Sequence, residues 1–250
     1  MQILFPPSDT SSNVDVHEFF GRNWLDTGGL RVNFIASVDG AISVEGKSKG
    51  LQTPGDNRIF AALRDLADVV LVGAGTARTE RYTALNPNAE RVARRQSNGL
   101  APTLPVAIVS RSLGLDPTSA LFSGAHEDAR TMVFTCAASN PEKHTELGEI
   151  AEIIVCGTDA VDLSEAHGVL NGRGLGRILC EGGPSLLADL ALTGNVTELC
   201  LSISPKFAGP GAPRLAGGPA WPVDDPRPLE LDGLLEEDGA LFARYRFAAA

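Results

Sequence analysis

With 250 residues, 43% of them hydrophobic, the chain is long enough for one large α/β domain or two small ones with an ordinary soluble-protein core. A net charge of −10 argues against nucleic acid or an anionic membrane as the main partner, since both reward a basic face, so a phosphate ligand has to be met by local positive groups. No apolar run approaches the roughly 20 residues of a membrane span, and the first ten residues lack the charged-then-apolar layout of a signal peptide, so a cytoplasmic protein is expected.

Residues 1–29 hold Pro6 and Pro7, a Ser/Asp/Asn cluster and a short amphipathic piece from Val16 to Trp24, the pattern of an N-terminal extension packed on a domain. The stretch from Leu30 to Ser37 has the β-branched and aromatic content of a strand and ends at Val38-Asp39-Gly40, a turn signal. After a loop containing Gly46, Lys47 and Lys49, Thr53 reads as a helix cap, Pro54 as the first helical residue and Asp56 as the capping-box partner. Ile59, Phe60, Leu63 and Leu66 recur with helical period, and Asp68 to Gly73 is a second, buried strand.

Further strands are expected at Pro105–Ser110, Thr131–Thr135, Glu152–Cys156, Arg177–Cys180 and Glu198–Ser204. A last one, Leu241–Phe247, alternates apolar and polar residues after an Asp238-Gly239 turn and reads as an antiparallel edge. Strands separated by helical or long connections indicate an α/β fold with one mostly parallel sheet and a mixed C-terminal part, built as a single domain over 30–250. Cys136, Cys156, Cys180 and Cys200 lie in or at the ends of apolar runs and never as Cys-x-x-Cys. They read as core filling, and with no His or Cys partners at short spacing no metal site is expected.

The stretch Arg177 to Leu187 is the strongest candidate site. A short apolar strand, the glycines Gly182 and Gly183, and Pro184 at a helix start together make a strand, a tight turn and a helix N-terminus. Such an end presents unpaired N–H groups and the positive end of the helix dipole to an anion, and Glu181 would face whatever lies beside that anion. Gly73-Ala-Gly-Thr lacks the third glycine of a Rossmann fingerprint, because Arg78 stands there. It remains a glycine-rich turn that allows close ligand approach, with the Thr76 hydroxyl on offer.

Gly46-Lys-Ser48 does not have P-loop spacing and reads as a solvated loop able to act as a lid. Asp39 stands at the end of a parallel strand, where α/β sheets place ligands, although turn formation alone would also explain it. Ser110-Arg111-Ser112 is chemically suited to a ribose 2′-phosphate, the group that distinguishes NADP from NAD; a plain surface arginine is the other reading. There is neither a Gly-x-Ser-x-Gly nucleophile elbow nor the His-x-Glu and Pro-Cys-x-x-Cys pattern of zinc deaminases.

Taken in order, Ser37-Val-Asp-Gly40, Ala67 to Arg78, Ile178 to Leu187 and Leu199 to Lys206 resemble the pyrimidine reductase family of riboflavin biosynthesis, across roughly residues 30 to 247. The resemblance implies a dihydrofolate-reductase-like three-layer α/β/α fold with a central mixed sheet of about eight or nine strands. Nothing similar to the family's deaminase domain is present, so a stand-alone reductase is expected. It further implies NADPH as hydride donor, a phosphorylated pyrimidine whose ribosyl group becomes ribityl, and a homodimer.

Carried over by position, Ala36, Gly73, Gly75, Thr76, Glu80, Ser110, Arg111, Gly182, Gly183, Pro184, Ser185 and Leu186 would line the cofactor. Asp39, Leu51, Arg58 and Glu181 would face the substrate, with Asp39 and Glu181 polarising or protonating it. The family often has Asp where Glu80 stands and an aromatic residue where Leu51 stands. Two alternatives stay open. A dihydrofolate or pterin reductase would require a buried carboxylate on the Thr53–Leu66 helix, where Asp56 reads as a cap residue and Asp65 as solvated. A catalytically idle NADP-binding module would bind the nucleotide without turnover.

Overall fold

A computed structural model describes residues 1–6, 14–218 and 226–248, so the Ser/Asp/Asn cluster near the N-terminus lies outside the described residues. The chain opens with β1 (Gln2–Phe5), α1 (Val16–Gly21), α2 (Trp24–Thr27) and β2 (Gly29–Ser37). A 3-10 turn at Ser48–Gly50 precedes α3 (Pro54–Asp65), β3 (Val69–Gly73), α4 (Ala74–Thr79) and α5 (Ala89–Ser97). Then come β4 (Val106–Val109), α6 (Ala120–Ser123), β5 (Met132–Thr135), α7 (Pro141–Gly148), β6 (Glu152–Val155) and α8 (Leu163–Gly172). The chain closes with β7 (Arg177–Cys180), α9 (Pro184–Thr193), β8 (Val196–Ser204), β9 (Leu229–Glu237) and β10 (Ala240–Phe247).

The ten strands of the described residues join one sheet in the order β1-β9-β10-β8-β2-β7-β3-β4-β5-β6. From β8 to β6 the seven strands are parallel, and β10, β9 and β1 add an antiparallel flank. The mixed sheet and its helical layers are as expected, with two strands beyond the eight read individually from the sequence: β9, and β1, which lies in the segment read as an extension. That segment is built into the fold. Beyond β1, Phe19, Phe20 and Trp24 are buried against α3 and the sheet.

Period-two alternation sorts the central strands between layers. Leu30, Val32 and Phe34 of β2 join the α8 and α9 side with Leu170, Leu186 and Leu190. Val70 and Leu179 meet α3 on the other side, and Val72, Ile108 and Val133 meet Leu121, Phe122 and Leu147 beneath α6 and α7. The four cysteines are buried, in keeping with core filling.

Buried guanidiniums tie helix ends to this frame. Arg31 and Arg244 donate to the Phe20 and Phe19 carbonyls at 2.9 and 2.8 Å, which satisfies backbone acceptors at the end of α1. Arg95, fully buried, donates to carbonyls of Ala67, Ala101 and Thr103 and so fixes the connection into β4. Burial lowers its pKa to about 10.

Parallel order gives β2, β7 and β3 a common C-terminal edge, and the chain leaves each of them through residues that cannot prolong a strand. Asp39 and Gly40 turn after β2, Gly73 passes directly into α4, and Gly182 (φ +87°) turns the chain from β7 towards α9. A Cβ on Gly182 would also stand 2.7 Å from the Phe34 ring, so that turn is closed to other residues on two counts.

Candidate active site

A cleft of about 640 Å³ opens at this edge, between α3, the end of β7 and the starts of α4 and α9. One face of α3 forms a wall, because Asp56, Phe60 and Arg64 recur every four residues and project together. Asn33 and Ile35 of β2 contribute the floor, and Gly73, Gly75, Thr76 and Gly183 to Leu186 the opposite rim.

Glu181, buried just beyond β7, organises the centre. Its Oε1 accepts from Arg64 Nε at 2.6 Å, and its Oε2 accepts from Arg64 Nη2 at 2.7 Å and from the Tyr82 hydroxyl at 2.6 Å. This is a two-pronged arginine–carboxylate pair with a phenol added, and the Phe60 ring lies 4.2 Å from the guanidinium carbon. Burial would weaken the Arg64 charge, but Glu181 and then Tyr82 outweigh it and raise its pKa. Burial first, and the Glu181 carboxylate second, hold the Tyr82 phenol well above its usual range. Both oxygens of Glu181 act as acceptors here, so its role in this arrangement is to fix Arg64 and Tyr82.

Asp56 corrects an expectation. Thr53 does cap α3, its hydroxyl accepting from the Asp56 N–H at 3.2 Å, but the Asp56 side chain turns inward into the cleft wall and is 6% exposed. Burial raises its pKa, partly offset by a hydrogen bond with Ser202. Asp65, read as solvated, is also buried, and faces away from the cleft into Arg91, Arg94 and His17.

The other sequence candidates divide into two sets. Gly73, Gly75, Thr76, Glu80, Glu181, Gly183, Pro184, Ser185 and Leu186 line the cleft together. Gly182 lies directly behind the wall, in a cis peptide with Gly183. Glu80 accepts from the Ser48 N–H at 2.8 Å, and Lys206 donates to the Gly50 carbonyl at 2.8 Å, so the Gly46–Leu51 loop is pinned over the cleft from two sides.

Asp39, Ala36, Leu51 and Arg58 stand outside the cleft wall. Asp39 accepts from Ser37 Oγ and from the N–H groups of Ala208 and Gly209, at 2.5, 3.0 and 2.8 Å. The Ala208 contact first, and Ser37 after it, lower its pKa. It thereby anchors the loop after β8 that brings Pro213 to the cleft. Ala36 and Leu51 are buried, and Arg58 pairs with Glu237 on β9. Ser110 is buried at the end of β4 with its hydroxyl unpartnered, and Arg111 beside it is exposed with no ion pair among the described residues. The sequence reading passed over Asn33, Phe60, Arg64 and Tyr82; the helical period linking Asp56, Phe60 and Arg64 was the available signal.

The site suits an anionic, elongated ligand at its glycine rim. Gly183 caps α9 without any side-chain acceptor, so first-turn N–H groups stand at the wall with none supplied by the chain. Gly75 has no neighbour within 4 Å of where a Cβ would be, and Gly73 none nearer than 3.7 Å, so a ligand can reach the backbone there. Among the described residues no group of His, Cys, Asp and Glu could hold a metal ion.

Comparison with known proteins places the chain closely. A family model described as "RibD C-terminal domain" matches residues 29–234. The chain is 32% identical over 179 residues to a 2,5-diamino-6-ribosylamino-4(3H)-pyrimidinone 5′-phosphate reductase of Archaeoglobus fulgidus, covering 71% of this chain and 80% of the relative. It is 28% identical to the protein of the same name from Methanothermobacter thermautotrophicus, covering 71% and 78%. Among solved structures, that of a pyrimidine reductase-like protein from Corynebacterium diphtheriae superimposes with a TM-score of 0.86 at 27% identity, covering 95% of this chain and all of that one.

Proposed function

The chain belongs to the RibD C-terminal domain family, and on that basis we propose that it is an NADPH-dependent oxidoreductase of riboflavin biosynthesis. The reaction is reduction of the ribosyl group of 5-amino-6-(5-phosphoribosylamino)uracil, or a close pyrimidine analogue, to the ribityl product. The observation that carries the reading is the union in one cleft of an uncapped helix N-terminus at Gly183–Leu186 with the Arg64–Glu181–Tyr82 network. The first suits a dinucleotide pyrophosphate, the second a polar, phosphorylated acceptor.

When bound, the nicotinamide supplies a hydride to the sugar carbon in its ring-opened imine form, and one proton completes the amine on nitrogen. The protein contributes positioning and electrostatics. Arg64 is held by Glu181 through Nε and Nη2 and stacked on Phe60, which leaves Nη1 for the substrate phosphate. Tyr82 keeps its proton, because burial disfavours the phenolate, and holds the second oxygen of Glu181 in place. Asp39 acts at one remove, by anchoring the loop that closes the substrate side. Preference for NADPH over NADH rests on Arg111, exposed beside Ser110 at the end of β4, as a partner for a ribose 2′-phosphate. A cytoplasmic homodimer is the assembly proposed, with sedimentation as its test; no helix among the described residues is long and apolar enough to cross a membrane.

One observation favours the pterin-reductase alternative: Asp56 is the buried, cleft-facing carboxylate on α3 that such an enzyme requires. Purified protein given NADPH and the phosphoribosylamino-pyrimidine is expected to deplete nicotinamide absorbance and yield a product two hydrogens heavier. Turnover of dihydrofolate in its place would support the pterin reading, and NADPH binding with no turnover of either would leave an idle module.

A further inference from the structure

A second cavity lies across one wall of the catalytic cleft. It has a volume of about 350 Å³ and opens between the end of α4 and the chain that runs through Leu115 into α6. Its floor is apolar, with Ala77, Leu115, Leu121 and Phe122 all at 8% exposure or less. Its rim carries donors. Arg78 commits Nη1 to the Gly114 carbonyl at 2.7 Å and keeps its other guanidinium N–H groups. Arg81 makes no side-chain hydrogen bond or ion pair among the described residues, and the Thr83 hydroxyl is equally unpartnered. The Asp116 carboxylate on this rim accepts from the Thr118 N–H and hydroxyl at 2.9 and 2.7 Å, so it is engaged within its own loop, and the two guanidiniums outnumber it.

The wall between the cavities is a single stretch of chain. Arg81, Tyr82 and Thr83 line both. The Tyr82 N–H donates to the Ala77 carbonyl at 2.8 Å, and the Ala84 N–H donates to the Ala120 carbonyl of α6 at 3.1 Å, so the stretch is tied to both sides of the second cavity. Its Tyr82 hydroxyl reaches Glu181 on the cleft side. Between these ties Arg81 adopts φ +55°, a left-handed conformation that a residue with a Cβ keeps only where its surroundings impose it. We propose that the second cavity binds a phosphate monoester with a compact aromatic body, its ring on Leu121 and Phe122 and its phosphate on Arg78 and Arg81, and that this ligand opposes substrate binding in the cleft. A carboxylate is satisfied by one guanidinium fork, whereas the three terminal oxygens of a phosphate monoester match two guanidiniums and a hydroxyl. The opposition follows from Arg81 facing both cavities. A guanidinium drawn to an anion in the second is withdrawn from the cleft, and by linkage the substrate weakens the second ligand by the same factor. The site stands on its own geometry; the antagonism rests on the reductase reading, which places a phosphorylated substrate in the cleft.

Phenyl phosphate is the probe, with NADPH present at saturation so that the glycine rim is filled. Calorimetric titration should show binding to wild type that Arg78→Ala weakens by about tenfold or more, through lost hydrogen bonds to a charged group. Ala120→Trp, which fills the cavity, should abolish it. Neither Arg78 nor Ala120 lines the cleft, so both variants should keep the wild-type kcat and KM without the probe. In turnover by wild type, phenyl phosphate should raise the substrate KM to a plateau about fivefold or more above its starting value, because coupling between two sites saturates, with kcat unchanged. Both variants should lose that response. A KM that climbs without a plateau is competition inside the cleft and overturns the antagonism, as does binding with no effect on KM. Equal affinity in wild type and both variants, or no binding up to about 10 mM, overturns the site. Inorganic phosphate binding as tightly as phenyl phosphate overturns the aromatic assignment. If binding depends on Arg78 but no pyrimidine is turned over, the reductase reading fails and the site stands.

Discussion

Replacing Glu181 by Gln tests whether the centre of the cleft is held by this one carboxylate. The native group accepts three hydrogen bonds at 2.6 to 2.7 Å, two of them from a guanidinium. Glutamine keeps one acceptor oxygen, and its NH2 group must then face a donor of Arg64 or Tyr82. Removing one partner of a fully buried ion pair costs about 3–5 kcal/mol. Arg64 retains 17% side-chain exposure, so water recovers part of that and about 2–3 kcal/mol is expected. Because the same contacts orient the groups proposed to hold the substrate, kcat/KM should fall by about a hundredfold, while NADPH affinity at the α9 end changes little. Urea unfolding gives the stability, nicotinamide absorbance the turnover, and fluorescence titration the cofactor affinity. A variant that unfolds at the wild-type midpoint and turns over at the wild-type rate would refute the reasoning. Equal loss of cofactor binding and turnover would instead place Glu181 on the cofactor side.

Asp65→Asn should destabilise the fold by about 2–3 kcal/mol at neutral pH, because it strips the counter-ion from Arg91 and Arg94, which are themselves part exposed. Burial acts to raise the Asp65 pKa, but His17, Arg91 and Arg94 together lower it, so its stabilisation is present above the unfolded value near about 3.9 and is lost as pH falls through the folded one. Urea midpoints of wild type and variant should therefore converge in acid. Asp56 has the opposite sign. Burial raises its folded pKa, so ligand-free stability declines as pH rises through that value, and Asp56→Asn should raise the melting temperature at neutral pH, by an effect of about 1 kcal/mol; an unchanged or lower melting temperature would contradict this. Arg111→Ala should lower kcat/KM for NADPH by about tenfold and leave NADH unaffected, the pattern of a lost 2′-phosphate contact; equal losses with both would show that Arg111 does not read that group.

The parallel half of the sheet was legible because its central strands are buried on both faces and read as unbroken apolar runs, as in Val69 to Val72 and Ile178 to Cys180. β9 was hidden because its glutamates and Asp232 suppress any strand-like run, and β1 because four residues beside a proline pair carry no usable period. The glycine turn at Gly182–Gly183 was visible, since glycine followed by a helix-starting proline has few other uses. Side-chain direction in the first turn of a helix was not: Asp56 satisfies a capping pattern, and only its hydrogen bond with Ser202 of β8 and its place in the cleft wall show that the carboxylate points inward. The resemblance carried Arg58 to the substrate and passed over Arg64 on the same helix; tertiary contact separates them, with Arg58 meeting Glu237 and Arg64 meeting Glu181.

The most direct test of the central claim is a single-turnover reaction of the wild-type chain with NADPH and the phosphoribosylamino-pyrimidine, following nicotinamide absorbance and product mass together. One equivalent of NADPH consumed for each ribitylamino product formed is the predicted result. Tight NADPH binding with no absorbance loss, and the pyrimidine recovered unchanged, would contradict it.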